Sequence, residues 1–324
     1  MNYNINFEAF KNKKILITGG FGFVGVNLFL ALKKNNIEPF ILDYFHNVKD
    51  IDHKFLPFHI DDTNYYNVNL VNRKEISETI NEICPDFIVH LASITDLKKD
   101  IDTALIATDV NIKGTLHLFD AIKKNPIEGF VFLSTSDIYG GVKPPFKENQ
   151  RVIPASPYSV TKASVEYFSL LFHEIENLPI TILRGFNFFG QFQKSNRVIP
   201  FIIMKLIKGE KVNLTLGEQK REFNYIENLI DAILLSLTNK QSFGKIINIG
   251  SGNSISIKEV AIKIAERFDL ISNLDFGAIP YRENEIWDMY CDNSLAKEIL
   301  NWTPKIDFEI GLNRTIDWYI ENFN

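Results

Sequence analysis

Short, continuous apolar runs alternate with longer amphipathic stretches through the first 185 residues of the chain. Such runs are typical of strands buried on both faces, and helix-length segments between them are typical of crossover connections. Strands are predicted at residues 14–18, 39–43, 55–60, 87–91, 130–134 and 180–183. Helices are predicted at residues 26–35, 69–83, 104–124 and 156–177. The alternation predicts an α/β protein with a doubly wound parallel sheet that helices cover on both faces.

The second half of the chain is less regular, and it predicts a smaller C-terminal α/β domain. Helices are predicted there at residues 196–209, 226–237 and 257–268, and strands at residues 211–216 and 246–249. The boundary is placed near Gly185, which gives a first domain over residues 1–185 and a second over residues 186–324. We expect parts of residues 224–250 to cross back into the first domain.

A glycine-rich turn, T-G-G-F-G-F-V-G at residues 18–25, joins the first predicted strand to the first predicted helix. Gly19 allows the sharp turn, Gly22 lets the backbone approach a pyrophosphate, and Gly25 lets the helix pack close to the strand. The helix N-terminus then offers unpaired N–H groups to the negative charge. The residues expected at the pyrophosphate are Gly19, Gly22, Phe23, Val24 and Gly25. The first domain is therefore predicted to be a Rossmann dinucleotide-binding domain.

An acidic residue, Asp43, ends the second predicted strand about twenty residues beyond this turn. A carboxylate there accepts hydrogen bonds from the adenosine ribose hydroxyls and repels a 2′-phosphate. No arginine follows in residues 44–47 to hold such a phosphate. The expected cofactor is therefore NAD rather than NADP. The alternative is a surface acid that caps a strand end.

Two further strand ends carry candidate cofactor contacts. Asp61 and Asp62 follow the third predicted strand, where a carboxylate could accept from an adenine amino group. An ordinary loop acid is the alternative for this pair. The fourth predicted strand runs into Leu91, Ala92 and Ser93, whose small side chains leave room for a cofactor across the sheet.

Composition and charge narrow the class of protein. The chain has 324 residues, a net charge of −5 and ordinary proportions of apolar and charged residues. The acidic balance argues against a nucleic-acid partner, and no apolar run reaches the length of a membrane span. The two cysteines form no C-x-x-C pair, and no His/Cys cluster has zinc spacing. We therefore expect no metal and, with no signal peptide evident, a reducing cytoplasm.

Candidate acid–base residues open the helix predicted at residues 156–177. Ser156 is a good N-cap, Pro157 suits the first turn, and Tyr158 and Lys162 are four residues apart on one helix face. A lysine ammonium close to a phenol would lower the tyrosine pKa from about ten toward neutrality. Tyr158 is therefore a candidate general acid/base for a sugar hydroxyl or carbonyl. The alternative is a surface Tyr and Lys on an amphipathic helix.

Hydroxyl groups follow the fifth predicted strand in the segment S-T-S-D-I-Y-G at residues 134–140. Thr135 and Ser136, beside the cofactor, would be placed to donate to the same substrate oxygen as Tyr158. An ordinary turn rich in Ser and Thr is the alternative.

Taken in order, these motifs resemble the extended short-chain dehydrogenase/reductase family, and more narrowly its nucleotide-sugar epimerases, dehydratases and reductases. The resemblance covers nearly the whole chain. Besides Asp43, it depends on T-G-G-F-G-F-V-G, H-L-A-S, N-I-K-G-T, S-T-S-D-I-Y-G, Y-S-V-T-K, L-R-G-F-N-F-F-G, R-E-F-N-Y-I-E-N and Y-R-E-N-E.

The resemblance implies roles for the residues of the first domain. Tyr158 would be the acid/base, and Lys162 would activate it and hold the nicotinamide ribose. Thr135 would bond the reacting oxygen, and Asn111 would lie near Lys162 in a supporting position. Phe186 would line the nicotinamide.

The resemblance also assigns the second domain, residues 186–324, to a nucleotide-diphospho-sugar substrate. Asn187 would contact the sugar diphosphate, and Arg197 lies where substrate contacts usually occur. Arg221 and Arg282 match the two arginines that clamp the diphosphate, a task suited to the planar donor fork of arginine. Surface salt bridges are the alternative for these two arginines.

The pattern around Asp137 departs from that of the dehydratases. Family 4,6-dehydratases often carry Asp-Glu after the catalytic Thr, whereas decarboxylases and some dehydratases carry Ser-Glu; this chain has Ser136-Asp137. The shorter carboxylate weakens the match to a base that abstracts the C5 proton. The resemblance thus implies an NAD-dependent oxidoreductase at the sugar C4, either a C4 epimerase or a 4-dehydrogenase.

Three alternative functions stay open beside this prediction, and a homodimer is expected. The alternatives are a 4,6-dehydratase with Asp137 as base, a 4-keto-6-deoxy-sugar reductase, and a non-catalytic NAD-binding scaffold or sensor. Such reductases commonly use NADPH, against which Asp43 argues. The resemblance also implies a homodimer through the helices predicted at residues 104–124 and 156–177. The nucleotide base and the sugar are not specified by these motifs.

Overall fold

The computed structural model describes residues 5–45, 56–58, 63–283 and 285–323. Within these ranges the helices are α1 (Phe23–Lys34), α2 (Arg73–Ile83), α3 (Ile101–Ala107), α4 (Gly114–Lys124), α5 (Pro157–Glu176), α6 (Val198–Ile207), α7 (Ile226–Thr238), α8 (Ile257–Glu266), α9 (Ser294–Leu300) and α10 (Phe308–Phe323). The strands are β1 (Ile15–Thr18), β2 (Phe40–Asp43), β3 (Asn64–Asn67), β4 (Phe87–His90), β5 (Gly129–Thr135), β6 (Ile180–Gly185), β7 (Phe188–Phe189), β8 (Val212–Leu214), β9 (Lys220–Arg221), β10 (Asn224–Tyr225), β11 (Lys245–Ile249), β12 (Ile255–Ser256) and β13 (Leu274–Phe276).

Among the described residues, seven parallel strands form one sheet in the order β11-β6-β5-β4-β1-β2-β3. The order reverses direction between β1 and β4, where ligands of such sheets bind. The predicted doubly wound α/β fold is confirmed. Pairs of short strands, β7 with β10, β9 with β12 and β8 with β13, lie outside this sheet.

Alternate residues of each central strand point into separate cores on the two faces of the sheet. In β1, Ile15 and Ile17 pack into a core with Leu28 of α1 and Ile230 of α7. Leu16, between them, packs into the core on the other face with Leu118 of α4. Burial on both faces explains why the strands are continuous apolar runs rather than alternating ones.

The third strand lies later in the chain than the sequence pattern indicates. The strand predicted at residues 55–60 falls partly outside the described residues, and residues 56–58 are not in a strand. The strand beside β2 is β3, whose sequence is N-Y-Y-N and whose end residues are exposed. An edge strand with this composition carries no apolar run, so the hydrophobic pattern missed it.

The helix predicted at residues 104–124 is interrupted by a wider, π-helical turn at Thr108–Lys113. At its end Gly114 packs closely on Leu70, since a Cβ at Gly114 would lie 2.6 Å from the Leu70 Cβ. The turn places Asn111 in the interior, where it is almost fully buried. Such π-turns inside helices occur frequently at functional sites.

Elements of the second half complete the main sheet. Strand β11 pairs with β6, and α7 packs against β5, β6 and α1. The division of the chain into domains at Gly185 stays a prediction. In the described ranges, none of the helices combines the length and the hydrophobicity that a membrane span requires.

Candidate active site

A cavity of about 1350 Å³ opens at the carboxyl ends of β1, β2, β4 and β5 and extends to the segment around Arg282. Most of the residues predicted from the sequence line this one cavity. They are Gly19, Gly22, Phe23, Val24, Gly25, Asp43, Leu91, Ala92, Ser93, Thr135, Ser136, Asp137, Tyr158, Lys162, Asn187, Arg197, Arg221 and Arg282.

Asp61 and Asp62 lie outside the described residues. Two described residues of the predicted set, Phe186 and Asn111, are not on the cavity wall. The Phe186 side chain is fully buried in a core cluster with Ile138, so the expectation that it lines the nicotinamide does not fit its position. Asn111 is also buried, behind the wall.

Asn111 supports the wall through hydrogen bonds that its side chain makes to two segments. Its Oδ1 accepts from the Ile94 N–H at 2.7 Å, and its Nδ2 donates to the Thr161 Oγ1 at 2.9 Å. Thr161 directly precedes Lys162. Asn111 therefore lies near Lys162, as predicted, and contacts its neighbour Thr161.

Two glycines of the turn between β1 and α1 pack directly against backbone atoms. Gly19 has φ +70°, and a Cβ there would lie 2.6 Å from the Ala92 N atom. A Cβ on Gly25 would lie 2.5 Å from the Gly19 carbonyl oxygen. Gly22 caps α1 without a side-chain hydrogen bond, so the N-terminal N–H groups of the helix face the cavity unopposed by a capping side chain. This arrangement fits the pyrophosphate of a dinucleotide.

The carboxylate of Asp43 is fixed by the backbone at the rim of the same turn. Its Oδ2 accepts from the Phe21 N–H at 3.1 Å, and its Oδ1 accepts from the Tyr44 N–H at 2.9 Å. Burial raises the pKa of Asp43, and these two N–H groups lower it. Each oxygen keeps lone pairs for a further donor, as the predicted contact with ribose hydroxyls requires.

Helix α5 begins as the sequence predicts and presents Tyr158 and Lys162 to the cavity. Ser156 accepts from the Ser159 N–H in a reciprocal capping box, and Pro157 occupies the first turn. The Lys162 Nζ donates to the Leu133 carbonyl at 2.7 Å and lies 4.6 Å from the centre of the Phe132 ring. It lies 5.9 Å from the centre of the Tyr158 ring.

The expected lowering of the Tyr158 pKa does not occur in this structure. Burial, followed by the negative charge of Asp137, raises the pKa of Tyr158, outweighing the hydrogen bond with Thr135 and the positive charge of Arg197. Burial lowers the pKa of Lys162 to about 7, against the charge of Glu166, which raises it. The Lys162 ammonium donates to a carbonyl rather than to the phenol, so it does little to lower the Tyr158 pKa.

The last residue of β5, Thr135, and the turn that follows it place two polar groups, Thr135 and Asp137, beside Tyr158. The Thr135 Oγ1 accepts from the Asp137 N–H at 3.2 Å, which turns the chain into the cavity. Burial raises the pKa of Asp137, and the charges of Arg197, Arg221 and Arg282 lower it. Asp137 is therefore a cavity carboxyl group that keeps a proton to a higher pH than an exposed aspartate.

Two active-site side chains contact the sulfur of Met289, which sequence reasoning did not identify. The Ser136 Oγ lies 3.7 Å from the Met289 Sδ, and the Asn187 Nδ2 lies 3.5 Å from it. Asn187 has φ +30°, in the left-handed region, which asparagine adopts more readily than most residues with a side chain. A lone methionine in a loop gives no recognisable sequence signal.

The three predicted substrate arginines differ in their surroundings. Arg221 forms an ion pair with Glu285 and donates to the Ile286 carbonyl at 2.5 Å. Arg282 is exposed, and Arg197 caps the N-terminus of α6. In this structure Arg221 therefore already has an anionic partner. Glu285 belongs to the Y-R-E-N-E motif, although the sequence assigned it no role.

Comparisons with known proteins decide the family. The family model for GDP-mannose 4,6-dehydratases matches residues 16–315. The chain belongs to this family. A UDP-glucuronate 4-epimerase of Thermodesulfobacterium geofontis is 30% identical over 315 residues, which cover 95% of this chain and 96% of the relative. The resemblance to extended short-chain dehydrogenases/reductases that act on nucleotide sugars is thereby confirmed.

Solved structures of the family share the fold. A UDP-N-acetylglucosamine 4-epimerase of Methanobrevibacter ruminantium, in complex with UDP-N-acetylmuramic acid, has a TM-score of 0.86 at 28% identity, covering 96% of this chain and 99% of that one. A dTDP-glucose 4,6-dehydratase of Bacillus anthracis, in complex with NAD, has a TM-score of 0.84 at 25% identity, covering 96% and 97%. The family thus includes both epimerases and dehydratases.

Proposed function

We propose that this protein is an NAD-dependent enzyme that acts at C4 of a nucleotide-diphospho-sugar, most simply as a 4-epimerase. One observation carries the proposal. A single cavity joins the glycine turn and Asp43 at one end, Tyr158 and Lys162 in the middle, and Arg282 at the other end. A dinucleotide and a nucleotide sugar would meet at the tyrosine in such a cavity.

The residues present fit NAD. The backbone cradle around Gly19 and Gly25 and the open N-terminus of α1 suit its pyrophosphate. Asp43 suits the ribose hydroxyls and opposes a 2′-phosphate. When bound, NAD would supply reversible hydride transfer with the substrate carbon.

The chain's own residues would handle the proton and the orientation of the sugar. Tyr158 would exchange the proton of the C4 hydroxyl, and Thr135 would hold that oxygen in place. Because burial raises the Tyr158 pKa, Tyr158 would be a phenol that donates to the C4 carbonyl oxygen when the hydride returns, and it would have to release its own proton before it accepts that of the C4 hydroxyl. Arg282 and Arg221 would hold the diphosphate, the latter after sharing or releasing Glu285.

A 4,6-dehydratase is the second candidate, and Asp137 is the observation that favours it. A buried carboxyl group with a raised pKa beside Tyr158 is suited to deliver or remove a proton. The 30% identity to a 4-epimerase supports the first candidate. Identification of the product by NMR separates them, because a dehydratase yields a 4-keto-6-deoxy sugar and an epimerase conserves the elemental composition.

We also propose a homodimer, formed through α3 and α5, which pack against each other. Helix α3 exposes Ile101, Leu105 and Ile106, and α5 exposes Tyr167, Leu171 and Ile175. The α5 residues recur every four positions and form a stripe on one helix face. Exposed apolar residues on two packed helices are typical of a protein interface, and a second copy would present the same residues.

The first experiment compares the wild-type protein with Tyr158→Phe. We expect the wild type to release near-stoichiometric NAD on denaturation and to convert a nucleotide sugar at C4. The variant should lose turnover at least a hundredfold and keep its affinity for the nucleotide sugar by calorimetry. Normal turnover in the variant would contradict the role of Tyr158. An empty site that prefers NADPH would contradict the role of Asp43 and favour a 4-keto-sugar reductase.

A further inference from the structure

A buried ion pair lies directly behind the cavity wall. The Arg184 guanidinium on β6 donates to both carboxylate oxygens of Glu166 on α5, with its shortest contact at 2.6 Å. Both side chains are 3% exposed. Arg184 also donates to the Tyr139 hydroxyl at 2.8 Å, and that hydroxyl donates to Asn248 on β11. The pair thus connects β6 to α5 and, through Tyr139, to β11.

The pair is connected to the catalytic segment through two successive residues of β5. Ser134 donates to the Glu166 carboxylate at 2.5 Å. Its neighbour Leu133 accepts from the Lys162 Nζ at 2.7 Å. Glu166 and Lys162 are one turn apart on α5, so their side chains leave the same helix face. Glu166 therefore lies beside Lys162 without occupying its hydrogen bonds.

The groups around Lys162 come from several elements. Tyr158 and Glu166 share its helix, His90 lies on β4, Arg184 on β6, and Asp137 on the turn after β5. Burial keeps His90 neutral by lowering its pKa to about 3, and burial keeps Tyr158 a phenol. Among these groups, Glu166 is the anion whose charge acts on Lys162.

We propose that Glu166 is a positioning residue for Lys162: its buried carboxylate, held by Ser134 and shared with Arg184, keeps the ammonium group charged against the Leu133 carbonyl on the cavity wall. Arg184 would oppose this effect, because its guanidinium donates to both oxygens of the same carboxylate and offsets part of its charge. Burial lowers the pKa of Lys162, and the charge of this pair, which does not contact the cavity, adjusts that pKa further. The role in catalysis rests on the proposed function, whereas the charge coupling does not.

The signs of the effects separate this proposal from a merely structural role. Glu166→Gln removes the favourable charge and leaves Arg184 unopposed, so Lys162 should lose its proton at lower pH. Arg184→Gln should shift Lys162 in the opposite direction. The double variant, which disturbs the packing most, should return the lysine close to its wild-type behaviour. A loosened fold would instead admit water and raise the Lys162 pKa in every variant.

The experiment measures the reactivity of Lys162 without substrate. Full-length protein is pulsed with acetic anhydride between pH 5 and 10, and the acetylation of each lysine is quantified by peptide mass spectrometry. Exposed Lys74 is the internal standard. We expect half-maximal acetylation of wild-type Lys162 near pH 7, as its pKa of about 7 implies. Glu166→Gln should shift the midpoint down by about one pH unit, which is about a fivefold gain in the unprotonated, reactive fraction at pH 6.

Two further variants complete the test. Glu174→Gln, an exposed glutamate near the end of the same helix, should leave the midpoint unchanged. Glu166→Asp keeps the charge but moves it away by one methylene, so it should shift the midpoint down by less than Glu166→Gln. If Glu166→Gln does not fold, Glu166→Asp provides the test. An unchanged or raised midpoint in both Glu166 variants would overturn the proposal. Because no substrate is used, this result is independent of whether Tyr158→Phe supports the proposed function.

Discussion

At the scale of single residues, Glu222 shows how far burial shifts the pKa of a carboxyl group in this protein. Its carboxylate is fully buried and accepts from the Gly252 N–H, from the Cys291 N–H at 2.9 Å and from the Ser251 Oγ at 3.2 Å. Burial raises the pKa of Glu222 to about 7, although these hydrogen bonds lower it. The side chain ties the loop after β11 to the segment that carries Met289.

Glu222 should make the free energy of unfolding fall as the pH rises from about 4.5 to about 7. Over that range the folded protein retains a proton that the unfolded chain has released, so raising the pH favours unfolding. The contribution of this one group is at most about 3 kcal/mol. Glu222→Gln should lack this decline in urea denaturation measured at pH 4.5 and 8.

The control for this prediction is Glu298→Gln, an exposed glutamate of α9. It should keep the wild-type pH dependence. Parallel profiles for wild type and Glu222→Gln would contradict the assignment of the titration to Glu222.

The sequence predicted which side chains meet in the cavity but not how they are charged. Tyr158 and Lys162 were correctly placed on one helix face, because helical spacing is local. Their pKa values depend on burial and on the charges of Asp137 and Glu166. The spacing of residues along a helix gives no information on these effects. A salt bridge was the stated alternative for Arg221, but its partner Glu285 was not identified, for the same reason.

At the scale of elements, the joint between β1 and α1 is packed backbone against backbone. Gly25→Ala would place a Cβ 2.5 Å from the Gly19 carbonyl oxygen and 2.6 Å from the Gly20 Cα. Neither atom belongs to a flexible side chain, so the turn itself must move. We expect a loss of about 1–3 kcal/mol in stability and at least a tenfold loss in NAD affinity, measured by thermal unfolding and by calorimetry.

Gly141→Ala is the matched control, since a Cβ there would meet no atom within 4 Å. It should leave both quantities near wild type. Equal effects of the two substitutions would mean that the close packing at Gly25 does not matter.

Elements with a clear pattern of apolar residues were predicted well, whereas elements that depend on tertiary contacts were not. Strands β1, β4 and β6 are continuous apolar runs and were found within a residue or two. Strand β3 is a polar edge, and the π-turn at Thr108–Lys113 is accompanied by the hydrogen bonds of Asn111 to Ile94 and Thr161. Neither feature produces a repeating hydrophobic pattern, so neither could be predicted from the sequence alone.

At the scale of the whole molecule, the exposed apolar stripe of α3 and α5 is the surface through which we propose dimer formation. Leu171→Glu would place a charge in its centre, and sedimentation equilibrium should then change from twice the chain mass to the chain mass. Ile310→Glu, on the exposed face of α10, is the matched control and should remain a dimer. A wild-type protein that sediments as a monomer would contradict the proposal.

The position of β11 constrains how enzymes of this architecture can diverge. The strand follows the first substrate-side elements in the chain, yet it forms the edge of the sheet beside β6. A chimaera that exchanged everything after Gly185 would therefore also exchange one strand of the recipient's sheet. Recombination between relatives is favoured at the single loops that line the cavity, and new substrate preferences are expected to arise by replacing those loops rather than by shuffling whole halves.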